Sequence, residues 1–516
     1  MAKFTFVDLF AGIGGFHIAS ESAGGESVGF SEIAKDAIQA YCENFNETPD
    51  KNLGDITKLK SLPKHDFMTA GVPCQSWSIA GKNLGFDDDR GQLWNDTIFL
   101  LNATRPKAFI FENVKGLADP RNSKALEYIL GRIRQAGYHA GTYLLNAYDY
   151  GVPQTRVRIY IVGFKEEKYH QRFHIPSPAP GMVCLSDVLD GLAIEARKPK
   201  GTNTARRSLS CNEQGFNDYF LLNDLRNGHT TIHSWDIQDT TQREKRICAL
   251  LLTNRRKSRY GILDGNALGL EHFQELDSSV TQDELEKLVE KGILKHCPYY
   301  YDICEVLPHL DEEEEFLLSC GRNGRIMADE LKSNKDFRKR KISITDTLRK
   351  LEKKGAVRCT EMRYDFKNTK ISTGLNGINR IFLPSSKIYP TLVASDTNDY
   401  VSNIELHAVT SEEWKEKFIQ EIFKKKRYRK ITKSEACRIQ GFPADFKLPE
   451  SRVRWMRLIG NSVAVPVVRM LTEAVVATGV FDSNDWNGEM PAQEQRGIGV
   501  FPPQKAEACQ LRLELG

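Results

Sequence analysis

The chain has no Cys-x-x-Cys pair, no His/Cys cluster at metal-ligand spacing, and no apolar run near the roughly 20 residues a membrane helix needs. Its 11 cysteines are scattered from Cys42 to Cys509. Reduced, mostly structural thiols are expected, with neither a disulfide framework nor a metal site. The opening residues MAKFTFVDLFAGIGG lack the charged, apolar and small-residue zones of a signal peptide, so a cytoplasmic protein with no membrane contact is expected. Net charge is scarce too: +4 over 516 residues names no partner.

The charge that is present is unevenly spread. Between Gly321 and Lys370 stand 16 Lys/Arg against 7 Asp/Glu, and KKKRYRK (424–430) sets six basic residues around Tyr428. Such runs serve either a polyanion or a solvated face. The acidic run DEEEE (311–315) suits an exposed helix start, where negative charge meets the helix dipole. The length allows two or three domains, and 40% hydrophobic residues suffice for their cores.

Up to about residue 165, the runs FTFVDLF, ESVGFSE, HDFMTAG, KAFIFENV and RIYIVGF alternate with amphipathic helical segments. That rhythm predicts an α/β fold, a parallel sheet covered on both faces. Pro176, Pro178, Pro180 and Gly181 then mark a boundary, beyond which the chain is more polar. In that region DELEKLVEKGIL (283–294) and DTLRKLEKKGAV (346–357) resemble each other at a 63-residue offset. Each reads as an amphipathic helix stopped by glycine, followed by a strand-like segment, YYYDICEVL or RCTEMRYDF. A winged-helix unit has this order at its recognition helix and wing, and so do two ordinary helix-strand packing units.

Candidate chemistry sits at the expected strand ends. In FVDLFAGIGGFH (6–17), Gly12, Gly14 and Gly15 let the backbone turn sharply and approach a ligand at the carboxyl end of a first strand. Their spacing departs from G-x-G-x-x-G, which argues against NAD or FAD. Glu32 follows the next apolar run, where a ribose could be bound, and Asp55 in LGDIT could meet an adenine amino group. Together they describe a nucleoside cofactor. Cys74, in GVPCQSWSIAG, follows HDFMTAGV directly; Pro73 restricts the backbone, and Gln75, Ser76 and Ser78 offer polar groups rather than a packing surface. Cys74 is placed as a nucleophile. Glu112 and Asn113 end the strand of FENVKGL, at the same edge of the sheet. Arg156 and Arg158, two apart, share one face of the strand that follows and suit phosphate or carbonyl contacts.

FAGIGG, FSE, GDI, GVPCQSWSIAGKNLGFDDDRGQLW, FENVKGL and QTRVRIYIVG, followed far along by ITKSEACRIQGFP (431–443) and IGNSVAVPVV (459–468), resemble in order the cytosine-5 DNA methyltransferases of bacterial restriction-modification systems. The matching blocks cover residues 1 to about 165 and about 430 to 475. The resemblance implies a Rossmann-like, S-adenosylmethionine-dependent methyltransferase sheet with an inserted, mixed α+β target-recognition domain. It divides the chain into a catalytic and cofactor-binding domain (1–175), a target-recognition region with winged-helix-like units (176–410), a part completing the catalytic domain (411–480) and a tail (481–516).

The implied activity is transfer of a methyl group from S-adenosylmethionine to C5 of a cytosine in a short site of double-stranded DNA. Cys74 would attack C6 of a flipped-out base, Glu112 would hold N3 and the amino edge, and Arg158, with Arg156 nearby, would contact the base carbonyl. The cofactor would be held by Phe10, Ala11, Gly12, Ile13, Gly14, Gly15, Glu32, Ile33, Asp55, Ile56, Pro73, Leu93, Asn461 and Ser462. Gln75 and Ser78 would meet the DNA, as would Thr391 and Leu392 in TLVASDTNDY (391–400), and the loop through Asp87 and Arg90 would close over it. Sequence readout is expected in about 370–410, with the two upstream units as further DNA modules or scaffold. A monomer with no obligate protein partner, associated with the nucleoid through DNA, is expected. Two alternatives remain: methylation of tRNA cytosine, against which the long basic insertion argues, and a regulator that keeps the fold without chemistry, against which intact Cys74, Glu112 and Arg158 argue.

Overall fold

The computed structural model describes residues 2–73, 93–179, 183–191, 233–263, 265–333, 335–340, 342–367, 380–384, 386 and 388–482. The chain divides into two compact units. One comprises Met1–Ser208, Phe382–Glu405 and Arg427–Gly516, and the other Leu209–Ile381 and Leu406–Lys426. The segment around TLVASDTNDY therefore packs with the catalytic blocks rather than with the insertion, and 406–426 packs with the insertion.

The first unit opens with β1 (Phe4–Leu9), α1 (Gly15–Ser22), β2 (Gly25–Ser31), α2 (Lys35–Phe45), β3 (Phe67–Gly71), α3 (Leu93–Thr104), β4 (Ala108–Val114), α4 (Ser123–Gln135), β5 (His139–Asn146), β6 (Val157–Phe164), α5 (Glu167–Arg172) and α6 (Leu185–Val188). The six strands form one sheet in the order β2-β1-β3-β4-β6-β5. β1 to β4 run parallel, but β6 is antiparallel to both its neighbours, so the sheet is mixed where a parallel one was expected. The cause is the short connection 147–156, which makes β5 and β6 a hairpin, whereas a parallel return needs a longer crossover. β5 carries no apolar run, since only Leu145 of its residues is buried, and the sequence rhythm misses it.

Side chains alternate between the two covered faces of the sheet. Phe4, Phe6, Phe67 and Ile110 enter one core, and Val7, Leu9, Met68, Phe109 and Phe111 the other. Helices cover both sides, which is why the central strands read as near-continuous apolar runs. Trp94 and Ile98 of α3 and Ile129 and Ile133 of α4 close the second core.

The second unit contains α7 (Ser234–Ile237), α8 (Gln242–Asn254), α9 (Leu270–Leu276), α10 (Gln282–Glu290), β7 (Leu294–Ile303), α11 (Glu312–Ser319), β8 (Arg325–Met327), α12 (Ala328–Ser333), α13 (Lys335–Arg340), α14 (Ile344–Lys353) and β9 (Val357–Phe366). Its sheet is antiparallel, in the order β8-β7-β9. The acidic run does start a helix: Asp311 caps α11 by accepting a hydrogen bond from Glu314 N. Both helix-glycine-strand segments form, with Gly292 and Gly355 left-handed at φ +70 and +74, although β7 starts at Leu294, ahead of the expected YYYDICEVL.

β10 (Arg380–Phe382) and β11 (Asp399–Val401) then pair, and α15 (Ser411–Lys417) belongs to the second unit. The first unit is completed by α16 (Lys433–Gln440), α17 (Arg452–Asn461) and α18 (Val465–Ala477). Val467, Val468, Leu471 and Val475 of α18 join Phe16 and Ala19 of α1 in the first core. Phe481, expected in a tail, instead stacks on Phe4 with ring centroids 4.4 Å apart, so the core runs through it. The rest of the expected tail, from 483 onward, lies outside the described residues.

Candidate active site

Every expected site residue that the structure describes in the first 165 positions lies near the carboxyl edge of β1 to β4. The reversal of β6 brings its amino end to that same edge, so Arg158 stands across the ladder from Val114.

At the end of β1 the chain turns through Phe10, left-handed at φ 51, and Gly12 at φ +56. Gly12 N donates to Glu32 Oε2 at 2.9 Å, while Glu32 Oε1 accepts from Ile33 N and Ala34 N, both at 2.8 Å. Glu32 therefore fastens the glycine turn to the start of α2. Asn52, unmarked by any motif, holds the other side: Oδ1 accepts from Glu32 N and Gly54 N, and Nδ2 donates to Glu32 O. The next carboxylate, Asp55, accepts from Thr57 Oγ1 and Thr57 N, bonds that hold it below the usual carboxylate range.

The three glycines differ in purpose. Among the described residues, a Cβ on Gly12 would meet nothing closer than Phe10 O at 4.0 Å, so they leave space above the turn. On Gly14 it would collide with the Phe45 ring, and on Gly15 it would lie 2.5 Å from Val463 Cγ2. Those two positions let α1 pack against α2 and against the far block. Ala11 and Ile13 have buried side chains, at 8% and 1% exposure, so only their backbones can face a ligand. Ile33 is 73% exposed beside Glu32. Phe10, Leu53 and Leu93 are partly buried against the core that contains Ile56. Asn461 ends α17 exposed to solvent, and contact between Val463 and Gly15 brings it to the turn. The Ser462 hydroxyl is spent on Ile459 O at 2.7 Å.

On the neighbouring strands Gly71 and Glu112 are register partners. Asn113 Nδ2 donates to Val72 O at 3.2 Å, gripping β3 just before half-buried Pro73. Cys74, Gln75, Ser78 and the expected closing loop follow, outside the described residues. Glu112 is buried, with Oε1 3.0 Å from Arg158 Nε. Burial pushes its carboxyl up, and the positive charge of Arg158, then of Arg156, opposes that rise.

Arg156 does not share the place expected beside Arg158. Its buried guanidinium donates to Leu392 O at 3.0 Å, Gly460 O at 3.2 Å and Ser462 O at 2.6 Å, three carbonyls from two distant segments. Gln154 works beside it: Nε2 donates to Ile439 O and to Gln440 Oε1, and Oε1 accepts from Leu392 N. Thr391 Oγ1 donates to Thr155 O. Leu392, expected to meet DNA, is thus buried with both backbone groups engaged. Exposed positions begin at Val393 and run through Asp396. A Cβ on Gly460 would collide with the Val393 backbone, so that glycine seats the segment. Gln154, Gln440 and Gly460 were not singled out from sequence, since nothing in a lone glutamine announces burial.

The family description C-5 cytosine-specific DNA methylase matches residues 4–477. The chain belongs to that family. The Type II methyltransferase M.HgiBI of Herpetosiphon aurantiacus is 39% identical over 493 residues, covering 93% of this chain and 99% of that protein. The Type II methyltransferase M.BanI of Aneurinibacillus aneurinilyticus is 30% identical, covering 95% of this chain and 98% of its own length. The match to the Type II methyltransferase M.HhaI of Haemophilus parahaemolyticus is 41% identical but covers only 36% of this chain and 56% of that one.

As a member of this family, the methyltransferase transfers a methyl group to C5 of cytosine in DNA. S-adenosylmethionine is the donor the family implies. The edge around Gly12 fits such a group: space that the described residues leave above a glycine, two carboxylates for hydroxyl and amino donors, and an exposed aliphatic side chain at Ile33 for a flat ring.

Proposed function

We propose that the methyltransferase acts within a short specific site of double-stranded DNA, through a covalent bond between Cys74 and cytosine C6, as the modification partner of a restriction system. The register of Gly71 against Glu112 supports this most directly, because the end of β3, three residues before Cys74 in sequence, lies beside a buried carboxyl. The full-length match to Type II methyltransferases supports the setting. The enzyme works in the bacterial cytoplasm, on the nucleoid through its DNA, as a monomer.

C5 of an aromatic cytosine is a weak nucleophile. Addition of the Cys74 thiolate forms an S–C6 bond and moves the C5=C6 electron pair toward C5, which becomes enamine-like. Glu112, whose burial favours the protonated carboxyl, donates to N3 as negative charge develops in the ring. Arg158 orients Glu112 and meets the base carbonyl. When bound, S-adenosylmethionine supplies a methyl group made electrophilic by its sulfonium. Loss of the C5 proton and expulsion of the Cys74 thiolate restore the aromatic ring. A paired base is out of reach of a thiol, so the cytosine leaves the stack at a cost of a few kcal/mol.

Glu32 already serves three backbone donors, and its remaining acceptor site is assigned to the ribose. Asp55 takes the adenine amino group, while Phe10, Ile33, Ile56 and Leu93 provide apolar contact. The backbone of the Gly12 turn and Asn461 hold the methionine end. Arg156 is a positioning residue that seats the far block.

Incubation with labelled S-adenosylmethionine and either plasmid DNA or tRNA, followed by sequencing of methylated positions, tests the reading. Label should enter DNA at one short sequence. Label in tRNA alone, or spread over unrelated DNA cytosines, would overturn it.

A further inference from the structure

The second unit is built twice. α10 and β7 correspond at a 63-residue offset to α14 and β9, and the correspondence extends through the inner face: Leu285 with Leu348, Leu288 with Leu351, Ile293 with Ala356, Leu294 with Val357, all buried. The turn after each helix repeats as well. Ile293 N donates to Leu288 O at 3.0 Å, and Ala356 N to Leu351 O at 2.9 Å. Each copy has an earlier helix opened by a capping box, Thr241 with Glu244 for α8 and Asp311 with Glu314 for α11. The box glutamate then pairs with the lysine that ends α10 or α14, Lys291 with Glu244 at 2.7 Å and Lys354 with Glu314 at 2.6 Å. Even the carbonyl accepting from that lysine recurs two residues before each cap, at Asp239 and His309.

The copies are joined by exchange across a pseudo-twofold. β7 and β9 pair antiparallel, and each lends a tyrosine to the other copy's core: Tyr301 packs among α11, α12 and α14, and Tyr364 among α8, α9 and α10. Leu268, two residues before α9, bridges Tyr364, just as Ile326, two residues before α12, bridges Tyr301. Helix, bridging strand, helix, helix and strand, with α13 added before the last helix of the second copy, is the order of a winged-helix module.

The outer faces have diverged. Exposed Arg349, Lys350 and Lys353 of α14 stand where α10 carries Glu286, Lys287 and Glu290. Two acids of α10 are thus replaced by bases in α14, a change that favours a polyanion on that face although Asp346 remains there, 3.5 Å from Arg349. Glu286 is also occupied internally, accepting from Tyr364 Oη at 2.6 Å and bonding His296 Nε2 at 2.9 Å.

We propose that the second unit is a duplicated winged-helix module in which only the second copy grips DNA, with Arg349, Lys350 and Lys353 of α14 on the phosphate backbone and the α10 copy serving as its scaffold. This rests on the reading of the chain as a DNA methyltransferase.

The test measures the Kd of the full chain for a duplex carrying its methylation site across a range of salt concentrations. Each phosphate contact contributes about 0.9 to the slope of log Kd on log salt. R349Q/K350Q/K353Q should lower that slope by about 2 to 3 and raise Kd at least about tenfold near 0.1 M salt. Lys287→Gln, at the matching position of α10, should leave both unchanged. An unchanged slope in the triple variant, or an equal effect from Lys287→Gln, would overturn the proposal. Should the triple variant fail to give a cooperative thermal transition, Lys350→Gln and Lys353→Gln singly decide, each lowering the slope by about 0.9 or refuting the claim. Wild-type chain that methylates no DNA would defeat the functional reading instead.

Discussion

Arg158 Nε lies 3.0 Å from Glu112 Oε1, and the pair exists because β6 runs against β4. A parallel β6 would have carried Arg158 to the opposite edge of the sheet. The hairpin therefore does for the site what no local motif does: it sets a cation against the carboxyl that burial would otherwise leave protonated over a wide pH range.

Removing that carboxyl separates proton donation from shape. Glu112→Ala should lower kcat by about 10²- to 10⁴-fold, the range of a lost general acid, with DNA affinity little changed. Glu112→Gln should lose less, since its amide can donate to N3 without transferring a proton. Arg158→Met should let the Glu112 carboxyl keep its proton to higher pH, visible as an upward-shifted titration of a labelled glutamate carboxyl.

Arg156 should behave differently despite standing two residues away. Its guanidinium satisfies three buried carbonyls, so Arg156→Met should cost about 3 kcal/mol or more of stability in denaturant unfolding. Arg158→Met should cost less stability and far more kcat. Equal profiles for the two variants would contradict the division.

The glycine turn offers a paired comparison. Gly12→Val should raise the Kd for S-adenosylmethionine at least about tenfold, because the new side chain enters open space and strains a left-handed φ of +56. Gly15→Ala should instead destabilise the fold by about 1–3 kcal/mol, and Val463→Ala in the same chain should restore part of it, since Val463 Cγ2 is what the new methyl meets.

Asp8 predicts a pH dependence of stability. It is fully buried in β1 with Oδ1 accepting from Thr69 Oγ1 at 2.8 Å, and burial pushes its carboxyl up to about 8. Between about pH 4 and 8 the folded chain keeps a proton that the unfolded chain releases. Its contribution is therefore fully present at low pH and declines as pH rises through that window, by at most about 1.4 kcal/mol per unit. Asp8→Asn, neutral throughout, should gain on the wild type steadily from pH 5 to 8 in urea midpoints. A difference independent of pH would contradict the assignment.

Much of the site was legible because strands buried on both faces are nearly continuous apolar runs, and the reactive residues sit where those runs stop. Gly12, Glu32 and Glu112 are of this kind, whereas Asp55 lies in the connection between β2 and β3 and Arg158 at the start of β6. What was hidden depends on partners distant in sequence. Arg156 looks like a second active-site cation until Leu392, Gly460 and Ser462 fold onto it, and nothing in the sequence shows that Gln154 and Arg156 take the backbone of Leu392. β5 was invisible because an edge strand needs no apolar run. The duplication was half visible for a simple reason: the copies differ in length between their first and third helices, so a 63-residue offset that matches Lys291 to Lys354 fails to match Thr241 to Asp311.

The central claim is that Cys74 becomes bonded to the target base. A duplex with 5-fluorocytosine at the methylated position provides the most direct measurement, because fluorine at C5 cannot leave as a proton and elimination of the thiolate is blocked after methyl transfer. With S-adenosylmethionine present, a complex stable to denaturant should form, and mass spectrometry of its peptides should locate the nucleotide on Cys74; Cys74→Ala should trap none. An adduct on another residue, or equal trapping by Cys74→Ala, would contradict the account.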